Sequence, residues 1–96
     1  MTIVAILTVR RAALAAFIRF EHAAGAIMPR HGGARERSIR VDDGAGDTLR
    51  EVHIVTFASA AGWDAYRADP ELVALAALRA EAITATELLI GEDVPT

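Results

Sequence analysis

The chain has 96 residues and no cysteine, which excludes disulfides, thiolate metal sites and cysteine nucleophiles together. Its net charge is -3, and all ten basic residues are arginines spread along the chain, so no electrostatic footprint for nucleic acid or anionic lipid is present. Hydrophobic residues make up 53% of the chain but 21 of them are alanine, which allows one domain over residues 1–96 with a small core of marginal stability on its own.

Residues 3–9 form a continuous apolar run rich in β-branched side chains, too short for a helix and suited to a central strand buried on both faces. The segment 1–9 lacks the basic start, long apolar middle and small-residue cleavage site of a signal peptide. No stretch approaches the roughly 20 apolar residues of a membrane span. A cytoplasmic location with no membrane partner is the resulting expectation.

From Arg11 the period changes. Leu14, Phe17, Ile18, Gly25 and Met28 recur at three- and four-residue spacing and predict a helix of about five turns, closed by Pro29 and by Gly32-Gly33 as a left-handed C-cap. Residues 34–41 read as an alternating strand, with Arg35, Arg37, Ile39 and Val41 on one side and Glu36, Ser38 and Arg40 on the other. That polarity suits a sheet edge. Asp42-Asp43-Gly44-Ala45-Gly46-Asp47 supplies the residues of a hairpin connection, and residues 49–58 follow as the next strand.

Ser59 is placed to cap a helical segment carrying Trp63 and Tyr66. Asp69-Pro70-Glu71 is a second start signal, with aspartate at the cap and proline in the first helical position. That helix is expected to run through Leu72, Leu75, Leu78 and Ala82 into a last strand at 83–90, stopped by Gly91. Two β-α-β units in this order predict an α+β, ferredoxin-like βαββαβ fold with a four-stranded antiparallel sheet, both helices on one face and the first and third strands central. The other face, carrying Val, Ile and Leu, then requires a partner, and a second copy of the chain is the expected one.

His31-Gly32-Gly33, the strand from His53 to Phe57, Asp69-Pro70-Glu71, Arg79 and the final strand running into Gly91 resemble the dimeric α/β-barrel superfamily, in which two ferredoxin-like sheets form one barrel. Within it the chain looks most like a family of small bacterial proteins of unknown function. The resemblance implies a homodimer. Relatives in that superfamily include cofactor-independent monooxygenases, haem-degrading oxygenases and isomerases acting on lactone-like substrates. The haem-degrading members use an asparagine, and this chain has none.

Glu21 falls at the centre of the apolar stripe of the first helix, where a carboxylate must be paired, hydrogen-bonded or protonated. An ordinary satisfied carboxylate in a wet pocket is the alternative. His53 lies inside a central strand with Glu51, Val55 and Phe57 on its side, and imidazole suits a general base near neutral pH. On that reading Glu21 orients it; otherwise His53 is a core histidine bonded across a dimer.

His22 sits at the edge of the same stripe, and His31 at the helix end, where a cation suits the dipole. Arg79 either reaches outward or pairs with a buried acid such as Glu21 or Glu87. Arg35 and Arg37 are placed to meet an anionic ligand or to blunt an edge strand. Trp63 and Tyr66, one turn apart, are core aromatics or line a pocket for a flat ligand.

No metal-binding spacing, phosphate loop or dinucleotide fingerprint occurs, so neither a metal nor a cofactor is expected. Two functions remain: a homodimeric barrel binding a small apolar or aromatic molecule, or a cofactor-independent monooxygenase or isomerase. In the second, His53 and Glu21 are catalytic and Arg79, Arg37, His22, Trp63 and Tyr66 contact the ligand.

Overall fold

A computed structural model describes residues 1–96. Four strands, β1 (Thr2–Arg10), β2 (Gly33–Val41), β3 (Thr48–Phe57) and β4 (Ile83–Gly91), form one antiparallel sheet in the order β2-β3-β1-β4. The central pair is β1 and β3, as the two crossovers require. Between β1 and β2 runs α1 (Leu14–Ile27); between β3 and β4 run α2 (Ala60–Ala68), α3 (Pro70–Val73) and α4 (Ala76–Ala82).

Local chemistry sets the element ends. Gly32 takes a φ of 75°, the left-handed geometry that closes the turn after α1, and its N–H donates to Met28 and Pro29 carbonyls. Ser59 Oγ accepts from the Gly62 N–H at the start of α2, and Asp69 accepts from the Glu71 N–H with Pro70 in the first turn of α3. His31 is tied to that same cap, its Nε2 lying 2.8 Å from Asp69 Oδ2.

Three expectations need correction. The helix begins at Leu14 behind a 3₁₀ turn at Arg11–Ala13, so its buried positions are Ala16, Phe17, Phe20, Ala24 and Ile27 while Ile18 is 55% exposed. The second helical region is not continuous: Leu75, at φ −86° and ψ 4°, separates α3 from α4. Strand β2 does not alternate strictly, because its register against β3 shifts between Arg35 and Arg37, leaving Glu36 as a bulge.

The helices cover one sheet face, on which the odd-numbered residues of β1 and β3 are buried: Ile3, Leu7 and Val9, and Leu49, Glu51, His53, Val55 and Phe57. The buried apolar residues divide into two clusters, one around Leu7, Phe17 and Phe20 and the other around Ile3, Phe57, Trp63 and Tyr66. Leu72 and Leu75 pack against both clusters. The opposite face, with Val4, Ile6, Val52, Ile54 and Leu89 brought side by side by the register, is covered by no element of the chain.

Gly62 shows how tightly the second cluster is closed. A Cβ there would lie 2.3 Å from the His31 carbonyl oxygen, a backbone atom that cannot swing aside, whereas a Cβ at Gly91 would meet nothing within 4 Å. Gly62→Ala is expected to destabilise the fold by about 1–3 kcal/mol through overpacking, lowering Tm by several degrees, with Gly91→Ala close to wild type. Thermal unfolding of both variants checks this, and equal melting of the two contradicts it.

Candidate functional site

The inner face of a small sheet normally carries apolar side chains alone, yet Glu51 and His53 are both buried there at successive inward positions of β3. Each must therefore be partnered. His53 Nε2 lies 2.8 Å from Glu51 Oε1, and Glu51 Oε2 accepts two bonds from Arg40 of β2, at 3.0 Å from Nε and 2.8 Å from Nη2. On the other side of the ring, Nδ1 is 3.3 Å from Oε2 of Glu21 on α1. That same oxygen accepts from Arg35 Nη1, whose guanidinium also reaches the Glu21 carbonyl oxygen through Nη2 at 3.2 Å.

A row of five charged or titratable groups results: Arg35, Glu21, His53, Glu51, Arg40. The bulge at Glu36 is what makes it possible. The two arginines are five positions apart, an odd number, so strict alternation would send them to opposite faces. The shifted register pairs Arg35 with Val55 and Arg40 with Glu51, both on the helix side. Arg37 pairs with Ile54 and goes to the uncovered face.

A cavity of about 230 Å³ opens beside His53. Its lining draws Leu7, Phe20 and Ala24 from one cluster and Ile3, Met28, Val55, Trp63 and Tyr66 from the other, with Glu21 and His53 in its wall. Space exists because the inward row of β1 runs Ile3, Ala5, Leu7, Val9, and Ala5, its smallest member, pairs with His53 across the ladder. Trp63 and Tyr66 stack with ring centroids 6.0 Å apart, and the Tyr66 hydroxyl donates to the Ala24 carbonyl at 3.3 Å.

Two atoms of these residues, His53 Nδ1 and Glu21 Oε1, make no aligned hydrogen bond within the chain. With Glu51 accepting a hydrogen bond from Nε2, a neutral imidazole would carry its lone pair on Nδ1. Nδ1 is near Glu21 but not aligned with it as a hydrogen bond, and Glu21 Oε1 takes no part in the row. The arrangement sets an imidazole between two carboxylates in the wall of an apolar chamber.

The expected site residues divide accordingly. His53, Glu21, Trp63, Tyr66 and Arg79 line one cavity; Arg37 and His22 do not, Arg37 because of the bulge and His22 because it is exposed on α1. Arg79 pairs with no carboxylate, in contrast to the expected bond to Glu21 or Glu87, and donates to the Thr86 hydroxyl at 2.5 Å. Glu87 pairs in register with Ile6 and therefore belongs to the uncovered face. Arg35 is turned inward onto Glu21 instead of meeting a ligand at the edge.

Glu51 and Arg40 lie outside the expected set, and Arg35 enters it only as a ligand contact or an edge residue; the two-residue spacing of Glu51 and His53 on one strand face is the one readable signal. Arg67, lying 5.0 Å from the Trp63 ring and bonded to Asp64, also reaches the cavity. No group of three His, Asp or Glu side chains converges to hold a metal ion.

Solved structures share this fold. A protein from Agrobacterium tumefaciens matches 97% of this chain and 92% of its own at 19% identity, with a TM-score of 0.72. SnoaB, a cofactor-independent oxygenase from Streptomyces nogalater, matches 97% of this chain and 93% of its own at 17% identity, with a TM-score of 0.64. A dimeric protein of unknown function and ferredoxin-like fold from Bacteroides fragilis matches 92% of this chain and 90% of its own at 14% identity, with a TM-score of 0.66. No protein-family model and no curated protein matches the chain. The ferredoxin-like α+β fold is therefore the class to which the architecture conforms, with helices on one sheet face and the other uncovered.

The two glutamates differ in acidity. Burial pushes Glu21 above the ordinary value of 4.5, against the pull of His53 and Arg35. Burial works upward on Glu51 as well, but the bonds from His53 and Arg40 outweigh it and hold this carboxyl below 4.5. A group with a lowered folded value contributes stability above its unfolded value and loses it as pH falls through the folded one.

Glu51→Gln is thus expected to cost about 1–3 kcal/mol at neutral pH, where a buried charged bond is weakened. It should also flatten the loss of stability below pH 4.5 relative to wild type. Urea unfolding at a series of pH values measures both; an acid limb as steep in the variant as in wild type contradicts the assignment.

Proposed function

We propose that the protein is a homodimer whose subunits pack sheet against sheet, and that each binds one small aromatic or lactone-like molecule in the cavity beside His53. There His53 acts as a general base, in the manner of a cofactor-independent monooxygenase or isomerase. The observation that carries this reading is an apolar cavity of about 230 Å³ with His53 and Glu21 in its wall, the ring held between Glu51, 2.8 Å from Nε2, and Glu21, 3.3 Å from Nδ1. A histidine serving packing alone would have the space beside it filled by side chains.

Size and chemistry narrow the ligand. A cavity near 150 Å³ already admits benzene, so about 230 Å³ suits one ring with substituents. Trp63, Tyr66 and Phe20 favour a flat apolar body, and a hydrogen acidic enough for imidazole, on a phenol, an enol or a carbon beside a carbonyl, would be placed at Nδ1. As that hydrogen moves to Nδ1, the imidazolium formed is flanked by Glu21 and Glu51, so charge develops where two carboxylates already stand. Arg79 would hold the resulting oxyanion. The fold shared with an oxygenase that works without a cofactor agrees with chemistry of this kind.

The dimer rests on the uncovered face. Its seven apolar residues, Val4, Ile6, Ile39, Val41, Val52, Ile54 and Leu89, lie in register across the four strands, and Ile39, Val41 and Leu89 are 41%, 44% and 53% exposed in the single chain. A continuous patch of this kind marks an association surface. Ile54→Glu, on a central strand, is expected to yield monomers in light scattering where wild type yields dimers; a monomeric wild type at micromolar concentration contradicts the assembly.

Trp63 is the chain's one tryptophan and lines the cavity, so its fluorescence reports occupancy. Titration with a panel of phenols, quinones and lactones is expected to give saturable quenching that Ala5→Val, which fills space opposite His53, weakens. For a compound that is turned over, His53→Ala should retain binding and lose roughly 10²- to 10⁴-fold in kcat. Unchanged kcat in His53→Ala, or quenching indifferent to Ala5→Val, overturns the reading.

A further inference from the structure

We propose that Arg35 is a positioning residue that keeps His53 Nδ1 free, by occupying the Glu21 oxygen that would otherwise bond to it. The role rests on the cavity reading above, but its test needs neither ligand nor turnover. Oε2 of Glu21 is the contested atom: Arg35 Nη1 bonds it, while His53 Nδ1 stands 3.3 Å away out of line. Arg35 Nη2 grips the Glu21 carbonyl at 3.2 Å as well, so the guanidinium holds both the side chain and the backbone of one residue. Arg35 does not line the cavity.

The chain makes room for this grip. Gly25 lies one turn beyond Glu21 on α1, and a Cβ there would come within 2.6 Å of Arg35 Nη2. The bulge at Glu36 turns Arg35 to the helix side. The charged and titratable groups around Glu21 are Arg35 from β2, His53 and Glu51 from β3, and the Tyr66 phenol from α2. Arg35 is the one permanent cation among them.

Without that cation, burial and the nearby Glu51 charge would act on Glu21 with no permanent positive charge opposing them. Relief comes when Glu21 takes up a proton and donates it to Nδ1. The lone pair needed for abstraction would then be spent inside the protein.

Nuclear magnetic resonance of the unliganded protein tests this, following the Glu21 carboxyl carbon and the His53 ring nitrogens across pH in wild type, Arg35→Met, Arg35→Lys and Gly25→Ala. Wild type is expected to show the Nε2–H tautomer with Nδ1 unbonded above the Glu21 titration. In Arg35→Met the Glu21 midpoint should rise by about one pH unit or more, with the Nδ1 signal moving to that of a hydrogen-bonded acceptor. Arg35→Lys should keep the midpoint near wild type, and Gly25→Ala should move it upward by less.

Gly25→Ala tests the role even if Arg35→Met fails to fold, because alanine favours the helix and the atom it displaces is the flexible end of a side chain. A folded Arg35→Met or Gly25→Ala protein with an unchanged Glu21 midpoint and an unchanged Nδ1 signal overturns the proposal. Either result can occur with binding in the cavity intact or absent, so failure here is separable from failure of the functional reading.

Discussion

A buried imidazole held between two carboxylates is the constraint around which the fold is arranged. One unpaired buried charge costs several kcal/mol, against a total stability of about 5–15 kcal/mol for a domain. Two such carboxylates on the helix side of a sheet this small are tolerable only with a cation for each. Arg35 and Arg40 provide them, and both come from the same strand. Geometry that brings β2 arginines to the helix side is therefore a condition for having His53 there at all.

The bulge at Glu36 meets that condition, and its influence extends beyond the site. By shifting register it places Ile39 and Val41 on the uncovered face beside Val52 and Arg50, extending the apolar surface formed by β1, β3 and β4. One extra residue in an edge strand thus serves two faces. It completes the charged row inside and continues the apolar row outside, coupling the cavity side of the sheet to its uncovered side through one backbone feature.

Most of the architecture was legible because it is written locally. The run at 3–9, the caps at Gly32, Ser59 and Asp69-Pro70, and the β-α-β order each follow from neighbouring residues, and β1 and β3 then become central by connection rules. His53 and Glu21 were legible as polar residues on apolar faces. The bulge was not, since nothing in residues 33–41 breaks their alternation; it appears only when pairing with β3 is fixed, and it reverses the parts of Arg35 and Arg37. Glu51 was passed over as orienter because the spacing rule that puts it beside His53 says nothing of which ring nitrogen it takes. The break at Leu75 was hidden too, since Leu72, Leu75 and Leu78 keep helical spacing across it and pack onto the core from both sides.

The account stands or falls on where two hydrogens lie. Neutron diffraction from crystals grown above neutral pH locates them directly: a hydrogen on His53 Nε2 directed at Glu51, and none on Nδ1, is the predicted result. A hydrogen between Nδ1 and Glu21, with Nε2 bare or with both nitrogens protonated, would mean that the imidazole is locked into the protein and has no lone pair to offer a molecule in the cavity.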